Sequence, residues 1–65
     1  MTREALAKVN DNIRFHIESL REEYNKKEAN KDIIRAASYQ YVRGLRDAGL
    51  ITESERRALF VYTTV

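Results

Sequence analysis

Leu45-Arg46-Asp47-Ala48-Gly49-Leu50-Ile51-Thr52-Glu53-Ser54-Glu55 is the stretch with the sharpest local signal in this chain. Helical periodicity runs into Leu45. Gly49 then stands where a helix ends in the left-handed conformation, which costs glycine nothing. With Gly49 as the first residue past the cap, Leu50 falls where a Schellman ending places an apolar residue over Leu45. Thr52 opens the next helix, and Glu55 completes a Thr-x-x-Glu capping box that satisfies orphan amides at the new N-terminus. Arg56 occupies the position that would otherwise staple Ile51. The stretch therefore predicts a tight corner between two helices.

On the N-terminal side of the corner, the pattern predicts a helix from about Lys31 to Ala48. Its core face is Ile33, Ile34, Ala37, Tyr41, Val42, Leu45 and Ala48, with Gly44 on the margin. Asn30 is the natural cap of this helix, and the polar run from Asn25 to Asp32 is the turn that precedes it. Further back, Leu6, Val9, Ile13, Ile17, Leu20 and Tyr24 recur at spacings of three and four as one helical stripe. The run Asn10-Asp11-Asn12 is a soft spot, since these side chains compete for backbone hydrogen bonds. The helix either runs unbroken from Arg3 to about Lys27, some 37 Å, or starts near Asn12 behind a looser arm.

Beyond the corner, a helix from Glu53 to about Tyr62 turns Ala58, Leu59 and Tyr62 inward. Phe60 to Val65 is aromatic and β-branched, suited to fraying or to a short strand on a partner. The expected fold is all-α and forms one domain over residues 1–65. It is an antiparallel helical hairpin with a short third helix folded back across one end. Ten helical residues cover only about 15 Å, so part of the hairpin's apolar stripe stays bare and self-association or a bound partner is expected.

Composition narrows the function classes. The chain has 65 residues, no cysteine, no proline and two glycines, which leaves helix as the dominant state and excludes disulfides and thiolate metal clusters. Absence of cysteine suits the cytoplasm. No apolar run reaches the roughly 20 residues that span a membrane, and Met1-Thr2-Arg3-Glu4 lacks the apolar core of a signal peptide. Net charge is +2 with the two signs interspersed, a pattern of a solvated surface more than of a nucleic-acid footprint.

His16 is the only histidine, and Ser19, Ser38 and Ser54 have no base at catalytic spacing. Neither glycine belongs to a phosphate loop. A non-enzyme is expected, with no cofactor and no metal. Two surfaces invite partners. Phe15 lies opposite the Ile13/Ile17 stripe among Glu4, Lys8, Asp11, Glu18 and Glu22, as a large aromatic on a charged face. Arg35, Tyr39, Arg43 and Arg46 form a straight basic stripe off the core face of the second helix, with Arg56 and Arg57 nearby. Such a stripe suits phosphates, an acidic protein or another copy of the chain. The corner could also serve as a DNA-binding helix-turn-helix, although Glu53 and Glu55 would face the phosphates with like charge.

Two short stretches carry resemblances. Gly49-Leu50-Ile51-Thr52-Glu53-Ser54-Glu55 resembles the Gly-x-Ile-Thr-x-x-Glu corner of short bacterial helical-hairpin modules such as the SHOCT domain, which implies an interaction or oligomerisation hairpin. Ser19-Leu20-Arg21-Glu22-Glu23 is similar to the inhibitory helix of small antitoxins that block Fic-type AMP-transferases, which implies an inhibitor. The expectation is a small cytoplasmic interaction or regulatory module of bacterial or phage type. It would dock a helical face on itself or on a larger protein. The alternative is a nucleic-acid-binding regulator using the basic stripe and the third helix.

Overall fold

The computed structural model describes residues 2–65. Four α-helices are found among them: α1 (Thr2–Lys8), α2 (Asp11–Tyr24), α3 (Lys31–Asp47) and α4 (Glu53–Thr63). The all-helical expectation holds, but the first predicted helix is two, so the three-helix count becomes four. The break falls at the soft spot. Asn10 sits in extended backbone at φ −73°, and its Oδ1 accepts the Ile13 N–H at 2.9 Å, starting α2 afresh. Arg14 then takes the carbonyls that α1 leaves open. Its Nε donates to Leu6 O at 3.1 Å and its Nη2 to Val9 O at 2.9 Å. The segment before the break is no loose arm: Ala5 and Val9 belong to the core.

The corner forms as its residues predict. Gly49 has φ +78°, its N–H donates to Arg46 O at 2.9 Å, and the Leu50 N–H donates to Leu45 O at 3.0 Å. Those are the two bonds of a Schellman ending. Thr52 Oγ1 accepts the Glu55 N–H at 3.1 Å, and Glu55 Oε1 accepts the Thr52 N–H at 2.7 Å. Ile51, though unstapled, is buried in the core. The direction of the chain after α3 is thus held by backbone bonds that span five residues at most.

α4 packs against each of the other three helices, and α2 packs on α3. The core at their junction is Ala5, Val9, Ile17, Val42, Leu45, Ile51 and Leu59. α4 continues through Phe60 to Thr63, so most of the C-terminal segment is helical rather than a strand. α2 supplies donors for the carbonyls at its end: Arg21 Nη1 donates to Tyr62 O at 2.6 Å, and Asn25 Nδ2 to Val65 O at 3.4 Å. Thr63 is fully buried, and its hydroxyl donates to Phe60 O.

The predicted core face of α3 is rotated. Ile33 is 65% exposed, and Ala37 and Ala48 are exposed as well. The buried positions are Ser38, Val42 and Leu45, with Ile34 and Tyr41 partly covered. The apolar residues of α3 wrap around more than half of the helix, so periodicity alone leaves the phase of the buried face open. The two neighbours settle it. α4 and α2 lie on adjacent sides of α3, and the helix turns its Ser38–Val42–Leu45 ridge into the wedge between them. Ser38 fits there because it is small, and its hydroxyl has no hydrogen-bond partner.

Candidate interaction surface

The basic stripe of α3 lies on the side of the helix that approaches α4. Arg35 Nη1 pairs with Asp32 at 3.1 Å, and its Nη2 donates to the Tyr24 hydroxyl at 2.7 Å. Arg43 lies 3.8 Å from Asp47. Arg46 meets Asp47 at 3.1 Å and Glu53 at 2.6 Å. Tyr39 packs edge-on against Phe60, ring centroids 5.7 Å apart, with the Arg56 guanidinium 5.5 Å from its ring. Each arginine of the stripe therefore already has a carboxylate within ion-pair distance.

The two glutamates at the start of α4 have different work. Glu53 is the hub of an exposed cluster and accepts from Arg46, Arg56 and Arg57. The guanidiniums of Arg56 and Arg46 hold its carboxyl far below the ordinary 4.5. Glu55 is buried, closes the capping box and receives Lys8 Nζ at 2.8 Å from α1. Lys8, followed by the Thr52 N–H, lowers the Glu55 carboxyl as well. Neither charge is left free to face a phosphate backbone.

A pH dependence follows from these two groups. A carboxyl whose folded-state pKa is depressed stabilises the fold above its unfolded value and loses that contribution as pH falls through the folded one. The midpoint of thermal unfolding is therefore expected to hold steady from neutral pH down to about 5 and to drop once pH passes below the ordinary 4.5. Circular dichroism melts from pH 7 to pH 2.5 measure this. In Glu55→Gln the decline should be shallower, since one of the two linked carboxyls is gone.

Phe15 is 75% exposed. It stands on the outer side of α2, on the turn that also carries Asn12, His16 and Ser19. His16 stacks on Tyr41 of α3 at 4.2 Å between ring centroids, tilted by 42°. That contact sets the level at which the antiparallel α2 and α3 meet. On α3, Ile33, Ala37, Gly44 and Ala48 fall within about 60° of one another at 100° per residue. They face away from Tyr39 and Arg46, the residues that touch α4. A Cβ built on Gly44 would meet nothing within 4 Å.

The α2–α3 hairpin thus has one side covered by α4 and the opposite side bare. That bare side is formed by Asn12, Phe15, His16, Ser19 and Glu23 of α2 and by Ile33, Ala37, Gln40, Gly44 and Ala48 of α3. Its α3 half is hidden from periodicity because Ile33, Ala37 and Ala48 are as apolar as the positions that α3 buries. The spacing of four, seven and four between Ile33, Ala37, Gly44 and Ala48 is the signal that marks it as a face of its own.

Among the described residues no group of three or more His, Cys, Asp or Glu side chains could hold a metal ion. Among the same residues there is no pocket, and no helix is long and apolar enough to cross a membrane. Comparison with protein families, with curated proteins and with solved structures finds no match to this chain. The resemblances to the helical-hairpin modules and to the Fic inhibitors accordingly rest on their short motifs alone.

Proposed function

We propose that the chain is a small helical protein–protein interaction module, of the adaptor, inhibitor or antitoxin kind, without enzymatic activity. It acts by docking the side of the α2–α3 hairpin that α4 leaves bare. Ile33 carries most weight here: a β-branched aliphatic side chain, 65% exposed in a chain of 65 residues, is apolar surface the monomer has every reason to bury. Phe15 on the same side adds an aromatic anchor, the residue class that most often dominates an interface.

Binding of nucleic acid on the basic stripe is the competing reading, and the ion pairs of Arg35, Arg43 and Arg46 weigh against it. Each phosphate contact would have to displace a carboxylate before it released a counterion.

A photo-crosslinking side chain at position 37 in living cells, with the same group at Arg57 on the outer side of α4 as control, tests the proposal. Discrete adducts from position 37 and none from position 57 are expected. No adduct from position 37, or a matching pattern from position 57, would refute it. Purified protein is also expected to leave a generic DNA duplex unshifted at 50 mM salt. Binding that weakened steeply with salt would transfer the function to the stripe.

A further inference from the structure

We infer that the bare α2–α3 side is a dimer interface, occupied by a second copy of this chain turned antiparallel, a statement that rests on the docking role proposed above and names its partner. The pattern on α3 reads the same in both directions. Rotation about an axis passing between Gln40 and Tyr41, across the helix, brings Ile33 opposite Ala48 of the second copy and Ala37 opposite Gly44. The opposite pairs form at the other end. Each large or medium side chain meets a small one, as a two-fold interface requires of a surface that must complement itself. A face made for an unrelated protein has no need of that symmetry.

α2 obeys the same axis. His16 stacked on Tyr41 puts the midpoint of the α3 pattern level with His16 and Ile17. The rotation then carries Phe15 over Glu18 and Ser19 of the second copy, the smaller of which leaves room for the ring. Charge permits this arrangement: Glu23 is the one charge among the ten residues forming this side, with the exposed carboxylates Asp11, Glu22 and Asp47 at its margins. At this register Glu23 comes near Asn10 and Asp11 of the second copy, where each carboxylate keeps a countercharge from its own chain, Lys26 at 2.7 Å from Glu23 and Arg14 at 2.6 Å from Asp11. Gly44 has open space where a Cβ would stand, which lets the second α3 approach closely at that point.

The area sets the strength. α3 is 17 residues long, and the molecule measures 18 Å across. At 1.5 Å per residue the face projects to about 450 Å² per copy, below the roughly 800 Å² per partner of a standard interface. Pairing is therefore expected to be weak and reversible.

The chain has no cysteine, so introduced thiols report without background. Gln40→Cys places a thiol beside the axis and should give a disulfide-linked dimer under mild oxidation at 100 µM, whereas Arg57→Cys on α4 should stay monomeric. Sedimentation of the unmodified protein should shift from monomer toward dimer between 5 and 500 µM. Gly44→Glu, in an exposed helical position where a Cβ meets nothing, should keep its helical circular dichroism and weaken dimerisation at least tenfold. A monomer throughout that concentration range, or equal crosslinking from positions 40 and 57, overturns the self-pairing. If position 37 then still crosslinks to a different protein in cells, the docking role stands with another partner; if it gives no adduct, both fall.

Discussion

Leu59→Ala is expected to destabilise the fold by about 2–5 kcal/mol, the range for truncating a fully buried leucine. Leu59 is 0% exposed and lies in the cluster to which Ala5, Val9, Ile17, Val42, Leu45 and Ile51 also belong. It projects from α4, the helix that touches all three others, so the cavity opens where every element meets. A chain of 65 residues has a total stability of only about 3–10 kcal/mol at typical values per residue. The variant should therefore be largely unfolded at 37 °C or sit at the foot of its transition. Urea denaturation followed by circular dichroism measures the change. Leu59→Met, which keeps the volume, should cost less than about 1.5 kcal/mol. Val61→Ala, two residues along the same helix but 56% exposed, should change stability by no more than about 0.5 kcal/mol. Loss of less than 1 kcal/mol in Leu59→Ala would mean that α4 is not the centre of the core.

Gly49→Val should be more damaging than any other surface change, for a reason unrelated to packing. Nothing lies within 4 Å of a Cβ at this position, so the added side chain clashes with no neighbour. The cost is in the backbone. At φ +78° an L-residue pays about 1–2 kcal/mol, and a β-branched one more. The Schellman bonds from Gly49 and Leu50 hold the angle in place, so the chain cannot relax without losing the corner. Gly44→Ala provides the contrast: it too has open space, but it lies inside α3, where alanine is better than glycine by about 0.5–1 kcal/mol. Thermal melts should thus move in opposite directions for the two glycines. A melting temperature for Gly49→Val equal to that of the parent would show that the corner does not depend on the left-handed residue.

The contrast between those two glycines shows which information is local. The corner from Leu45 to Glu55 was legible in the sequence because every bond that makes it joins residues at most five apart. Asn30 capping α3 is a bond of the same short range, whereas Asn10, legible only as part of a soft spot, was shown by the structure to be the cap of α2. The stripe at Arg35, Tyr39, Arg43 and Arg46 and the isolation of Phe15 from the helical core could likewise be read from spacing alone.

Tertiary structure decided the rest. Whether α1 would be an arm or a helix packed on α4 depended on Arg14 reaching back to Leu6 and Val9, and on Lys8 meeting Glu55, 47 residues away. Whether Ile33 or Ser38 would be buried depended on where α2 and α4 stand around α3. A helix with apolar residues over most of its circumference has several faces of similar hydrophobicity, and only its neighbours select among them. The pairing of Arg46 with Glu53 was hidden for the same reason, since that carboxylate lies across the corner on another helix, whereas the pairs with Asp47 are local to α3. Local hydrogen bonds depend on a few consecutive residues and are written in them. The phase of a helix and the partner of a charge depend on where distant segments come to rest.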